Sequence, residues 1–190
     1  MGFVFRLVLA LLAALAIGAS SAWFALDTVP QSDFIANGAW RVVPSLSDAK
    51  LSLYERAALA KASLLLPDYR EALYLTATQD ETGAPLSGNC TYRIEGANLP
   101  ARRWSISAYG PKRFLIANPQ NRYALSGRDV AGPDGSFVLR VSSGDQAKAW
   151  LPLDNARSFS LTLRLYRPDP RIIAAPSDFN APRLIKESCR

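Results

Sequence analysis

The chain begins with a continuous apolar run, and its later part alternates between apolar and polar positions. Residues 7–26 are twenty successive positions without a charged side chain. At about 1.5 Å of rise per residue, a helix of that length covers roughly 30 Å, the thickness of a bilayer's hydrocarbon core. Arg6 precedes the run and Asp27 follows it. The positive-inside rule therefore predicts a cytoplasmic N-terminus and export of the remainder.

The same segment also has the form of a secretory signal peptide. A short apolar stretch at 7–17 is followed by small residues at 20–22, a pattern typical of a cleavage site. Trp23 and Phe24 are typical of a membrane interface, and they favour an uncleaved anchor. We expect residues 1–26 to be an inner-membrane anchor with a periplasmic domain after it. Signal cleavage, which leaves a periplasmic protein, is the alternative.

A linker and one helix are predicted next. Residues 27–46 read as a polar linker that ends in a short strand at 40–43. Ser52 and Glu55 have the spacing of a capping box, and the helix formers that follow stop at Pro67. Apolar residues at helical spacing predict one amphipathic helix packed on a sheet. Its predicted buried stripe consists of Leu53, Ala57, Ala60 and Leu64.

Beyond Pro67 the apolar period changes to two, which is the period of half-buried strands. The runs 73–77 and 88–95 flank a turn at 80–83 and are predicted to form a hairpin. Short strands joined by turns favour an antiparallel sandwich or barrel, so residues 47–190 are predicted to be a mainly β domain. The proline-rich tail from 168 is predicted to lie extended over its surface. Further strands are predicted at 104–109, 113–117, 137–141 and 159–166.

The composition narrows the chemistry. The 190 residues contain no histidine, which excludes Ser-His-Asp and Cys-His pairs, histidine metal ligands and histidine bases. Two cysteines cannot form a four-thiolate zinc site, and the close carboxylate pairs at 68–71 and 80–81 lack metal-loop spacing. We therefore predict no catalytic residue, no metal ligand and no cofactor. An enzyme that uses carboxylates, tyrosine or lysine remains an alternative.

The two cysteines are Cys90, in a predicted strand, and Cys189, the penultimate residue. Export leads to an oxidising compartment, so we predict a disulfide between them. The bridge closes a loop of about a hundred residues, which the chain-entropy model values at roughly 4–5 kcal/mol. Two free thiols are the alternative.

The densest polar segment, 118–129, is the candidate ligand site. Its planar donors suit a sugar or an anion. Asparagine side chains more often hydrogen-bond their own turn, so a structural role competes with binding. Basic residues beside aromatic ones can indicate nucleic acid, but an exported address makes anionic headgroups the better match. The candidate residues are Asn118, Asn121, Arg122, Tyr123 and Arg128.

Several short pieces resemble a known bacterial family. In chain order they are WSISAY at 104–109, NPQNRY at 118–123, DGS at 134–136, AWLP at 149–152 and FSLTLRLYRP at 159–168. They resemble the family called domain of unknown function 1214, and YERA at 54–57 and CTY at 90–92 resemble its short, membrane-anchored members. The resemblance implies a β-sandwich of jelly-roll character and no established activity.

The resemblance also suggests a partner. Longer members carry a second domain of unknown function, numbered 1254, upstream in the same chain. We expect a non-enzymatic, membrane-tethered domain of the cell envelope that binds a protein partner, such as a separate protein of the 1254 type. A module for carbohydrate or anionic lipid headgroups is the first alternative, and a histidine-independent enzyme is the second. Nucleic acid is not an expected partner, and no oligomeric state is predicted.

Overall fold

The chain consists of two compact units. They are Met1–Asp33 with Asp48–Leu65, and Phe34–Ser47 with Leu66–Arg190. A computed structural model describes residues 2–28, 35–43, 51–61, 67–144, 149–154 and 156–190.

The first unit contains the N-terminal helix α1 (Phe3–Thr28) and the shorter helix α2 (Leu53–Lys61). The span Phe3–Leu26 is long and apolar enough to cross a membrane, a property that signal sequences share. The predicted N-terminal apolar helix is therefore confirmed, as either an anchor or a signal.

Helix α2 begins at the predicted capping box. The amide of Ser52 donates to Glu55 Oε2 at 2.6 Å, and the amide of Glu55 donates to Ser52 Oγ at 3.2 Å. These two bonds satisfy amide groups that a helix start leaves without intrahelical partners. The spacing of Ser52 and Glu55 therefore predicted where the helix begins.

The predicted apolar stripe of α2 is not buried. Because two of its three described members are alanines, the stripe offers little apolar area to a packing partner. The helix belongs to the same unit as α1, and its packing on a sheet stays a prediction. Leu64 lies outside the described residues. The exposed members are Leu53, Ala57 and Ala60.

The second unit is mainly β, and it also contains the short helices α3 (Gly127–Val130) and α4 (Pro170–Ala174). The described strands, in chain order, are β1 (Ala36–Asn37), β2 (Trp40–Val43), β3 (Ala72–Ala77), β4 (Cys90–Ala97), β5 (Ala101–Tyr109), β6 (Ala124–Ser126), β7 (Ser136–Ser142), β8 (Trp150–Pro152), β9 (Ser160–Pro168) and β10 (Arg183–Cys189).

These strands form two sheets. One has six strands in the order β1-β2-β3-β9-β5-β6, and the other has four in the order β10-β4-β7-β8. The neighbouring pairs are antiparallel except for β7 and β8, which run parallel. The prediction of a mainly β fold is confirmed, but this strand order does not show the jelly-roll character that the family resemblance implies.

The core lies between the two sheets, whose inward side chains form one apolar cluster. Leu161, Leu163 and Leu165 of β9 are fully buried, as their period-two spacing predicts. Trp104 of β5 packs on Phe137 of β7 with ring centroids 4.2 Å apart. Along a strand such as β9, the polar residues that alternate with these buried apolar residues therefore point away from the core.

The predicted hairpin of 73–77 and 88–95 is wrong. Strands β3 and β4 lie in different sheets, because β3 pairs with β2 and β9 while β4 pairs with β10 and β7. The turn between them is real, but its ladder stops at a bridge between Gln79 and Pro85. The Leu86 amide still donates to the Thr78 carbonyl oxygen, but Ser87 then bridges to Ser158 and the chain continues into the second sheet.

Two further strand predictions are corrected. The C-terminal tail is extended only in part, because it contains the helix α4 and ends in β10, a strand that pairs with β4 and buries Leu184 completely. The predicted strand at 113–117 is a loop, in which Leu115 bridges to Tyr109 and Arg113 has a positive φ of 62°.

The predicted disulfide forms between β4 and β10, where Cys90 and Cys189 directly oppose each other.

Candidate functional site

Asn118, in the predicted ligand segment, holds its own turn. The side chain is 7% exposed. Its Nδ2 donates to the carbonyl oxygens of Ile116 at 3.0 Å and Arg122 at 3.1 Å. Its Oδ1 accepts from the amide of Arg122 at 3.0 Å. All of these partners are local backbone groups, so this asparagine has the structural role that the sequence left open.

The other predicted residues of this segment are exposed and partly engaged. Tyr123 donates its hydroxyl hydrogen to Asn121 Oδ1 at 3.2 Å, and Arg122 Nη1 donates to the carbonyl oxygen of Trp150 at 3.0 Å. Hydrogen bonds from Ser126 lower the pKa of Asp129, and Arg122 and Arg128 lower it further. Both cations therefore lie in the field of a carboxylate. Ligand binding by this segment stays a prediction.

A cleft of about 480 Å³ lies beside the turn after β3 and is lined by Arg41 and Asp80, among others. Asp80 is 3% exposed. Its Oδ1 accepts from the Thr82 amide at 2.9 Å, the Thr82 hydroxyl at 2.6 Å and the Ala84 amide at 3.2 Å. Its Oδ2 is buried and lies 3.8 Å from Lys186 Nζ.

This buried carboxylate is built as a turn anchor. Burial raises the pKa of Asp80, but the bonds from Thr82 and Ala84, helped by Lys186, bring it below its ordinary value. A general acid at neutral pH needs the opposite shift. The cleft therefore gives no support to a histidine-independent enzyme that uses Asp80 as an acid.

The outer face of the four-stranded sheet carries an ion-pair network. Glu187 of β10 accepts from Arg93 of β4 at 3.1 Å and from Arg140 of β7 at 2.9 Å. Glu95 accepts from Arg183 at 3.2 Å and also pairs with Arg93. The cations of this face are therefore matched by carboxylates on neighbouring strands.

The outer face of the six-stranded sheet has the opposite character. Its described strands contain no aspartate and no glutamate. Arg41, Arg103 and Arg164 occupy outward positions, and within the described part of the chain none of them pairs with a carboxylate. Tyrosines and hydroxyl residues occupy most of the other outward positions. They are Tyr74, Thr76, Ser105, Ser107, Tyr109, Ser160, Thr162 and Tyr166.

Arg164 of β9 contacts two tyrosines and a serine of the neighbouring strands. Its Cζ lies 5.3 Å from the ring centroid of Tyr74 on β3 and 5.5 Å from that of Tyr109 on β5. Its Nη1 donates to Ser107 Oγ at 3.0 Å, and its Nη2 donates to the Tyr109 hydroxyl. We call Tyr74, Ser107, Tyr109 and Arg164 the arginine–tyrosine cluster.

The cluster is arranged to receive an anion. Cation–π contacts with two rings hold the guanidinium in place. A guanidinium has five N–H donors, and the bonds to Ser107 and Tyr109 use only part of them. The half-buried guanidinium therefore presents fixed donors, which suit the planar geometry of a carboxylate or the oxygens of a phosphate.

Part of this site was visible in the sequence. The alternation along β9 places Arg164 and Tyr166 outward, as the structure confirms. Tyr74 and Tyr109 were missed because their strands neighbour β9 only through long-range pairing. The sequence does show that residues 96–128, which include Ser107 and Tyr109, contain six basic residues and no acidic one.

The fold and these faces define a class: a mainly β protein of two sheets, with an N-terminal apolar helix and one cationic sheet face whose described strands carry no carboxylate. A family model described as "Protein of unknown function (DUF1214)" matches residues 71–170, more than half of the chain. The chain belongs to that family. The matched range includes all five short segments at 104–168 from which the resemblance was inferred, and it begins about thirty residues before them.

Comparison with solved structures identifies one that shares the fold. A crystal structure of the VPA0106 protein from Vibrio parahaemolyticus has a TM-score of 0.59 and 21% identity, over 71% of this chain and 35% of that one. A putative uncharacterized protein from Burkholderia cenocepacia has a TM-score of 0.49 and 18% identity, over 89% of this chain and 40% of that one. The chain thus covers well under half of either protein. No curated protein matches it.

Proposed function

We propose that the protein is a non-enzymatic binding module of the cell envelope, and that its arginine–tyrosine cluster binds acidic glycans. The apolar helix α1 supports an inner-membrane tether with the second unit in the periplasm. The Cys90–Cys189 disulfide is in keeping with an oxidising compartment.

The observation that carries the proposal is the environment of Arg164. The guanidinium is fixed by Tyr74, Tyr109 and Ser107 on a sheet whose described strands carry no carboxylate. A side chain that is already ordered loses less conformational entropy when it binds. The hydroxyls of Ser105 and Thr162, on neighbouring outward positions, supply further donors and acceptors for sugar hydroxyls.

A protein partner of the 1254 type, suggested by the family resemblance, is the competing occupant. Protein interfaces are also enriched in tyrosine and arginine, but their cores are rich in apolar area and depleted in serine. The outer face of the six-stranded sheet is instead mostly hydroxyl, tyrosine and arginine. This composition favours a glycan over a protein on that face.

The test measures binding of a fluorescent oligogalacturonate to the full chain in detergent micelles by fluorescence anisotropy. Arg164→Gln should weaken binding about tenfold or more, because it removes charge-assisted hydrogen bonds to the ligand. Arg140→Gln is the matched control, since Arg140 lies on the other sheet and is already paired with Glu187. It should change the affinity less than twofold. A neutral maltohexaose should not bind.

Three results would contradict the proposal. The first is the absence of saturable binding by the unaltered chain. The second is an equal loss of affinity in both variants, which would indicate binding by net charge alone. The third is recovery of the chain with an envelope protein whose binding Arg164→Gln abolishes, because that result would assign the face to a protein partner.

A further inference from the structure

The loop of residues 110–123, between β5 and β6, exposes two large apolar side chains to water. Phe114 is 76% exposed and Leu115 is 44% exposed. Apolar area in contact with water is unfavourable, and adjacent exposed residues of this size lie together at the turn of the loop. We call Lys112, Arg113, Phe114 and Leu115 the loop tip.

The loop tip is held in shape by its own backbone. The amide of Gly110 donates to the Phe114 carbonyl at 2.9 Å, and the amide of Arg113 donates to the Gly110 carbonyl at 2.8 Å. Leu115 bridges back to Tyr109 at the end of β5. Arg113 has a φ of 62°, which costs free energy for a residue with a side chain. The chain therefore presents Phe114 outward in a defined and strained turn.

The charged side chains in the sequence around this tip are all basic. Lys112 and Arg113 directly precede the two apolar residues, and no carboxylate occurs between 96 and 128. Lysine and arginine side chains are attracted to anionic phospholipids, and apolar side chains beside them can enter the headgroup region. Both properties of the tip are those of a peripheral membrane contact.

We infer that the loop tip docks onto an anionic phospholipid surface. Phe114 and Leu115 enter the headgroup region, and Lys112 and Arg113 contact lipid phosphates. A protein partner fits less well, because a stable protein interface buries about 800 Å² on each side and the tip offers only two large apolar side chains. The inference is independent of glycan binding, since no side chain of the arginine–tyrosine cluster takes part in docking and Tyr109 meets the loop tip only through its backbone bridge to Leu115.

The test uses the full chain in lipid nanodiscs with a nitroxide spin label on Phe114→Cys. The native cysteines are joined in the disulfide, so the label reacts with the introduced thiol under non-reducing conditions. Val138→Cys is the matched control, because Val138 is 46% exposed and lies on β7 of the other sheet. Power-saturation EPR compares the accessibility of each label to oxygen and to a water-soluble nickel complex.

In nanodiscs that contain phosphatidylglycerol, the oxygen-to-nickel accessibility ratio at 114 should rise at least twofold over phosphatidylcholine nanodiscs. The ratio at 138 should not change. Adding Lys112→Gln and Arg113→Gln should abolish the rise, whereas Arg164→Gln should leave it intact. Docking and glycan binding can therefore fail separately.

Three outcomes would overturn the inference. In the first, the label at 114 is equally accessible to nickel in both lipids. In the second, it is shielded equally in both lipids, so that charge plays no part. In the third, its shielding depends on protein concentration, which would indicate a second copy of the chain on the loop tip.

Discussion

Replacing both Cys90 and Cys189 with alanine tests how the C-terminal strand is held. The two residues oppose each other on β4 and β10, with a sequence separation of 99. Closing a loop of that length in the unfolded chain is worth about 4.7 kcal/mol at 25 °C. A domain of this size shifts its Tm by about 2–4 °C for each kcal/mol. The double variant should therefore unfold roughly 10–20 °C below the unaltered chain.

The folded state should persist without the bridge. Strand β10 keeps its ladder with β4, and Leu184 remains fully buried between the sheets. The amide of Arg190 also donates to the carbonyl oxygen of Asn89 beside the disulfide. Most of the loss should therefore arise from a larger conformational entropy of the unfolded chain.

The assay is near-UV circular dichroism of the full chain during heating in a mild detergent, because the tryptophan signals report on the β core. A reductant should lower the Tm of the unaltered chain by a similar amount and leave the double variant unchanged. A fall below about 3 °C would refute the loop-closure reasoning. Loss of the native spectrum at low temperature would show instead that the bridge is needed to hold β10 in place.

Two further substitutions test local geometry. Asp80→Ala should lower the free energy of unfolding by about 2–4 kcal/mol in urea at pH 7, because the Thr82 amide and hydroxyl lose a charged acceptor; a loss under about 1 kcal/mol would contradict the turn-anchor role. The pKa of Asp80 is lowered on folding, so its contribution to stability should be complete above about pH 4 and be lost as the pH falls through the pKa of the folded state. The stability of the variant should lack this pH dependence. Gly88→Ala should prevent accumulation of folded chain, because its Cβ would lie 1.5 Å from the Ala156 carbonyl oxygen. Gly83→Ala has open space around its Cβ but a φ of 82°, and this left-handed conformation should cost only about 1–2 kcal/mol; equal folded yields would refute this account.

The parts of the fold that the sequence predicts well depend on neighbouring residues. The capping box of α2 needs only the spacing of Ser52 and Glu55. The alternation of β9 separates the fully buried Leu163 from the outward Arg164 without reference to any other strand. In both cases the physical cause acts within a single element, so the pattern carries the information.

The parts that were predicted wrongly depend on which strands pair. Strands β3 and β4 have the alternation and the intervening turn of a hairpin, yet each lies in a different sheet. Pairing of β3 with β9 joins segments more than eighty residues apart, and pairing of β4 with β10 does the same. The gain from such contacts comes from a shared core, which local propensity does not contain.

The candidate site follows the same division. Arg140 and Arg164 both occur on strands with period-two alternation, and nothing adjacent distinguishes them. The pairing of their strands distinguishes them. Arg140 donates a hydrogen bond to Glu187, 47 residues away along the chain, because β10, β4 and β7 are neighbours in one sheet. Arg164 meets Tyr74 and Tyr109 on strands that lack carboxylates. A cation neutralised across a ladder contributes little to recognition of an anion, whereas a cation fixed between aromatic rings keeps its charge available.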